Sequence, residues 1–94
     1  MDIIKVGPGA PFYAKSGNTV YAEFGSIVYA QSGSIVYAES GSIVYAESGS
    51  TVYSQAGSVI HAEFGSIVYA QSGSTIYVES GSTVYSNGSI IHGS

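Results

Sequence analysis

Residues 25–48 decide the fold because they repeat one unit of eight residues three times. They read Gly-Ser-Ile-Val-Tyr-Ala-Gln-Ser once and then Gly-Ser-Ile-Val-Tyr-Ala-Glu-Ser twice. Outward from this stretch, glycine recurs every eight residues from 17 to 81, and the same frame continues to both ends of the chain. The last two units, 81–87 and 88–94, are each one residue shorter. Because the frame leaves no linker, residues 1–94 are predicted to form a single domain of twelve tandem octad-type units.

The octad pattern predicts a short strand followed by a tight corner. The fourth position is always apolar and the sixth is nearly always small, whereas the fifth is mostly tyrosine and the seventh mostly Glu or Gln. Side chains alternate between the two faces of a strand, and unpaired buried charge is costly. The valines and alanines of positions four and six are therefore predicted to face inward, flanked by serine. Gly-Ser supplies the corner, where glycine tolerates unusual backbone angles.

Identical units in one frame favour an all-β fold, a parallel β-solenoid or β-helix. Two octads per coil would give a two-sided solenoid with 16 residues per coil and six coils, ~29 Å tall. Three octads per coil would give a three-sided form with 24 residues per coil. Valine and alanine fill little space, which suits two closely packed sheets better than a wide triangle. The two-sided form is the first prediction and the three-sided form is the alternative.

The fifth position predicts two tyrosine ladders, because stacked coils place like residues above one another. In the two-sided form, all nine tyrosines are candidate interface residues, divided between two faces. One face carries Tyr21, Tyr37, Tyr53, Tyr69 and Tyr85. The other carries Tyr13, Tyr29, Tyr45 and Tyr77, together with His61 and His92. With the Ile, Val or Thr of position three beside them, these ladders form apolar strips, and such strips are typical of interaction surfaces.

A few residues depart from the repeat. His61 and His92 are interpreted as substitutes for tyrosine in a ladder, and since Tyr77 separates them they do not predict a metal site. Phe24 and Phe64 stand where serine is usual and are predicted to plug a corner of the core. The Glu and Gln mixture at position seven is interpreted as dilution of the repulsion between stacked carboxylates.

Composition excludes several classes of protein. The formal net charge is −4 with two basic residues, both lysine, which argues against nucleic-acid binding. Without cysteine there is no disulfide framework and no thiolate metal site. No apolar run approaches the ~18 residues of a membrane span, and the first residues lack the apolar core of a signal peptide. We expect no enzyme, no catalytic residue and no cofactor. The sequence does not assign a compartment.

The units Gly-Ser-Thr-Ile-Tyr-Val (73–78) and Gly-Ser-Thr-Val-Tyr-Ser (81–86) resemble the half-repeat of bacterial ice nucleation proteins. The resemblance extends over nearly the whole chain. It implies a β-solenoid whose 16-residue coils each contain two octads. In that family the outward third and fifth positions carry Thr-x-Thr, whereas here they are pairs such as Ile27 with Tyr29.

These observations predict a structural protein that assembles with itself into filaments or oligomers, through open strand edges, tyrosine faces, or both. Lys5 and Lys15 lie in the first two octads, while residues 17–94 contain five Glu and no Lys, which favours head-to-tail contact. Pro8 and Pro11 are expected to blunt the first strand edge. The alternative function is binding of ice or a glycan on a flat repetitive face.

Overall fold

A computed structural model describes residues 3–9, 11–79 and 81–86, together with the backbone of residues 90–93. These residues form twelve strands, β1 to β12 in chain order, arranged in two parallel sheets. Sheet A contains β1 (Ile3–Val6), β3 (Thr19–Ala22), β5 (Ile35–Ala38), β7 (Thr51–Ser54), β9 (Ile67–Ala70) and β11 (Thr83–Ser86). Sheet B contains β2 (Phe12–Ala14), β4 (Ile27–Ala30), β6 (Ile43–Ala46), β8 (Val59–Ala62), β10 (Thr75–Val78) and β12 (Ile90–Gly93). Within these described segments there is no helix long and apolar enough to cross a membrane.

The strand register confirms the two-sided solenoid. Each strand pairs with the strand two places further along the chain, and the paired residues lie 16 positions apart, as in Val20 with Val36. The pairing of β10 with β12 joins Ile76 to Ile91, a step of 15 that matches the shortened unit of residues 81–87. The first and last strands of sheet A, β1 and β11, thus lie five turns apart. The three-sided alternative with 24 residues per coil is wrong.

The core is a thin double layer between the two sheets, as predicted from positions four and six. The apolar residues at position four are fully buried from β3 to β10, and the alanines of position six pack beside them. Ser54 takes the place of one of these alanines in β7 and is also buried. Within the described part of the chain, its Oγ is the buried side-chain polar atom that has no hydrogen-bond partner. Sheet A therefore has a defect in its inner surface at β7.

The corners are tight turns that the Gly-Ser pair makes possible. In the corner after β3, the backbone N–H of Ser26 donates to the carbonyl of Glu23 at 3.0 Å, and its hydroxyl donates to the same oxygen at 2.6 Å. Gly25 lies at the third position of this turn with φ of +81°. A type II turn requires positive φ there, which favours glycine. Ser26 is buried, and the bond from its hydroxyl offsets the cost of that burial.

The prediction that Phe24 and Phe64 plug corners of the core is wrong. Phe24 is 72% exposed and Phe64 is 63% exposed. Position eight is the second residue of each corner turn, so its side chain points away from an interior that is already filled by positions two, four and six. Each ring lies instead on the outside against the glycine of the next coil, Gly41 for Phe24 and Gly81 for Phe64.

Candidate functional site

The candidate site consists of the two outer surfaces of the solenoid, called face A and face B after their sheets. Face A carries a tyrosine ladder with one ring on each of the five strands from β3 to β11. Neighbouring ring centroids are 4.9 to 5.0 Å apart, and the ring planes deviate from parallel by 9° to 22°. The ladder consists of Tyr21, Tyr37, Tyr53, Tyr69 and Tyr85. This confirms the predicted stacking on the first face.

Face B carries a ladder of the same geometry that a histidine divides. His61 stacks on Tyr45 at 4.7 Å and on Tyr77 at 4.8 Å, as its interpretation as a tyrosine substitute predicts. Below it, Tyr13 stacks on Tyr29 and Tyr29 on Tyr45, each at 4.9 Å. The backbone of His92 pairs with Tyr77, while the prediction for its side chain lies outside the described residues.

Stacking determines which part of each ring meets solvent. The middle tyrosines of both ladders are between 36% and 42% exposed, whereas Tyr13 and Tyr85 reach about 60%. Because the rings lie face against face along a ladder, their flat surfaces are covered by neighbours, and their edges and hydroxyl groups point outward. Ring edges carry partial positive charge, whereas ring faces carry partial negative charge. Each ladder therefore presents a row of edges at the strand spacing.

The column beside each ladder, at position three, differs between the faces. On face A, isoleucine and threonine alternate from coil to coil along Ile3, Thr19, Ile35, Thr51, Ile67 and Thr83. On face B, the described side chains of this column are Pro11, Ile27, Ile43, Val59 and Thr75. Both columns border their ladders as predicted, so each face has an apolar strip next to its aromatic one.

The charged column at position seven also differs between the faces. On face A it reads Glu23, Glu39, Gln55 and Gln71, so that two of four coils are charged. On face B, Gln31 is followed by Glu47, Glu63 and Glu79 on three consecutive coils. The predicted dilution of like charge is therefore incomplete on face A and absent over these three coils of face B.

A groove runs along each ladder between the tyrosines and the position-seven column. The face A groove has a volume of about 460 Å³. All five tyrosines of its ladder line it, together with Glu39, Gln55 and Gln71. The face B groove has about 230 Å³ and lies around His61, between Tyr45 and Tyr77. The same octad thus produces grooves of different length, because the face B groove is confined to three rungs.

The site offers little for catalysis or metal binding within the part of the chain that the structure describes. No three His, Asp or Glu side chains converge there in a way that would hold a metal ion. The serines at position two are engaged in corner turns, as when Ser42 donates to the Glu39 carbonyl at 2.6 Å. The chemistry available to these surfaces is consequently contact and packing.

One relation between the faces escaped sequence reasoning. Residues 17–56 resemble residues 57–94 at an offset of 40, which is five octads. In a coil of two octads, this offset equals two and a half turns, so equivalent positions lie on opposite sheets. Tyr21 on β3 of sheet A thus corresponds to His61 on β8 of sheet B. The signal was present in the offset once the 16-residue coil was adopted.

Comparisons of the chain with protein-family models, with curated proteins and with solved structures find no match. The structure confirms the parallel β-solenoid with strands 16 residues apart that the resemblance to ice nucleation proteins implies. No relative extends that likeness from the fold to the activity of that family.

Proposed function

We propose that this protein is a non-catalytic structural solenoid that associates with a second copy of itself through face A. The observation that carries the proposal is the uninterrupted ladder from Tyr21 to Tyr85 beside a column of isoleucine and threonine. Tyrosine is enriched in protein interfaces because it combines a large apolar ring with a hydrogen-bonding hydroxyl. A second copy is the occupant that would present the same row of ring edges and hydroxyls.

The area of the face supports this role. The molecule measures 31 × 23 × 20 Å, so its largest face spans about 700 Å². A stable protein–protein interface buries about 800 Å² on each partner. One whole face is thus close to what a dimer needs, whereas a fraction of a face is not. An interface with two-fold symmetry would bring the two ladders together and use the full length of both.

Charge favours face A over face B. On face B, Glu47, Glu63 and Glu79 form a continuous row, and two such rows would repel each other in a symmetric contact. On face A the corresponding row ends in Gln55 and Gln71, which are neutral. Self-association through face B would therefore bring more like charge together for a shorter tyrosine ladder.

The alternative functions have less support from the geometry. Glycans commonly stack on exposed aromatic faces, and here the ring faces are covered by their neighbours in the ladder. Threonines that could face ice recur on face A only in every second coil, at Thr19, Thr51 and Thr83. Strong thermal hysteresis or ice affinity of the purified protein would reverse this order.

The experiment is sedimentation velocity over a range of protein concentrations. The test variant replaces Tyr37, Tyr53 and Tyr69 on face A with lysine. The matched control replaces Tyr29, Tyr45 and Tyr77 on face B with lysine. We expect the wild type and the control to associate alike, and the face A variant to lose at least ~100-fold in association constant, because three positive charges would face three others.

Circular dichroism checks that each variant keeps its strand content, since lysine on an outer face leaves the core unchanged. Equal loss of association in both variants would contradict a preference for face A. A wild type that stays monomeric at every concentration would contradict the proposal itself.

End-to-end stacking is the second assembly route that the topology offers. β1 and β11 each pair with one strand of sheet A, at opposite ends of the sheet. Strands with a free edge can add further strands. We propose that this route, where it operates, lengthens the solenoid into a filament. Electron microscopy of the face A lysine variant separates the routes, because filaments that persist in it would grow from the ends.

A further inference from the structure

We propose that the groove of face A binds elongated, planar aromatic molecules that carry one positive charge. This site is distinct from the self-association proposed above, although it lies on the same face. The observations that carry it are the groove's volume, its continuous row of ring edges and the carboxylate on its opposite wall.

The first step is size. Small-molecule sites have volumes of about 300–1,000 Å³, and the face A groove has about 460 Å³. From Tyr21 to Tyr85, four ring-to-ring steps give a length of roughly 20 Å. The groove is therefore long and narrow, which suits a rod of linked aromatic rings better than a compact ligand. The face B groove, at about 230 Å³, falls below the usual range.

The second step is the chemistry of the long wall. Stacking covers the faces of Tyr37, Tyr53 and Tyr69, so the groove meets their edges. Edge-to-face contact with another aromatic ring is favourable because a partly positive edge meets the partly negative face of that ring. A flat ligand lying lengthwise would make this contact at every rung. A sugar or an alkyl chain offers no such face.

The third step is charge. Glu39 lines the wall opposite the tyrosines, and the chain as a whole has a formal net charge of −4. Gln55 and Gln71 continue this wall without charge, so the negative potential is concentrated toward one end of the groove. A ligand with a single positive charge at one end matches this distribution, whereas an anionic dye of the same shape does not.

The test is a fluorescence titration of the protein with thioflavin T, a planar benzothiazolium cation. It is performed at a protein concentration where sedimentation shows a monomer. We expect one dye per chain with a Kd on the order of 10 µM. Tyr53→Ala removes the middle rung and should weaken binding at least ~10-fold, whereas Tyr45→Ala on face B should change it less than ~2-fold.

Two further variants protect the interpretation. Tyr53→Phe keeps the ring edge and should retain binding, which separates a loss of contact from a loss of fold. Glu39→Gln should weaken binding about 3-fold at low salt and less at high salt. Equal losses in Tyr53→Ala and Tyr45→Ala, or tighter binding of an anionic dye of the same length, would overturn the site.

The outcome is independent of the proposed self-association. If the monomer binds thioflavin T and the protein never associates, the groove proposal stands and the assembly proposal fails. If association occurs and only the associated fraction binds the dye, the groove proposal fails and the assembly proposal stands. If both hold, the dye should lower the association constant, since both occupants use the edges of the same ladder.

Discussion

Faces A and B are made by the same octad and differ at a few outward positions. Face A has an unbroken run of five tyrosines and a position-seven column that is half neutral. Face B has a ladder divided by His61 and three stacked glutamates. Since every outward side chain contacts its equivalents one coil above and below, one substitution changes two contacts of a ladder. A groove or an interface that depends on an unbroken run is therefore sensitive to a single residue.

The inner surfaces show the opposite arrangement. Sheet B has alanine at position six in β4, β6 and β8, whereas sheet A has Ser54 in β7 between Ala38 and Ala70. The face with the complete outer ladder thus lies on the sheet with the imperfect core. Outer contact and inner packing can therefore be varied separately, because side chains alternate between the two sides of each strand.

The largest expected effect on stability comes from Ser54→Ala. The substitution removes a buried hydroxyl that has no partner and makes the inner surface of sheet A like that of sheet B. We expect the free energy of unfolding to rise by about 1–2 kcal/mol, measured by urea denaturation. Ala46→Ser on sheet B should lower it by a similar amount. An unchanged midpoint for both variants would indicate that the hydroxyl finds a partner in solution.

Exchanging the ladder residues tests whether continuity distinguishes the faces. His61→Tyr completes the ladder of face B and should raise the free energy of unfolding by about 1 kcal/mol, because two tyrosine–tyrosine stacks replace two tyrosine–histidine stacks. Tyr53→His divides the ladder of face A and should lower it by about as much. Urea denaturation of both variants measures the exchange. If the two variants shift the midpoint in the same direction, ladder continuity is not what separates the faces.

The smallest effect is expected in the charged columns. Glu63 lies between Glu47 and Glu79, whereas Glu39 lies between Glu23 and the neutral Gln55. Glu63→Gln should raise the free energy of unfolding by about 0.5 kcal/mol at low ionic strength, and Glu39→Gln should raise it by less. The difference should shrink in 1 M salt, where the screening length is about 3 Å. A gain that grows with salt would exclude repulsion as its cause.

Much of the fold could be predicted because every unit repeats the same physical argument. The inward valines, the outward tyrosines and the 16-residue coil follow from alternation and from the small volume of the core. Phe24 and Phe64 were misjudged because an apolar side chain was assumed to be buried, while the direction of a corner residue depends on the turn. The grooves could not be predicted, since their volumes depend on how far the Tyr53 and His61 side chains lean over the neighbouring strand positions.

The most direct test of the central claim is double electron–electron resonance with one spin label on each chain. The chain contains no cysteine, so a single introduced cysteine gives one label. Gln55→Cys places it beside the ladder of face A, and Gln31→Cys places it at the equivalent position of face B. If copies meet through face A, the label at 55 will give an intermolecular distance peak that disappears on dilution with unlabelled protein, and the label at 31 will give a weaker, longer one. A short distance at 31 without one at 55 would contradict the account.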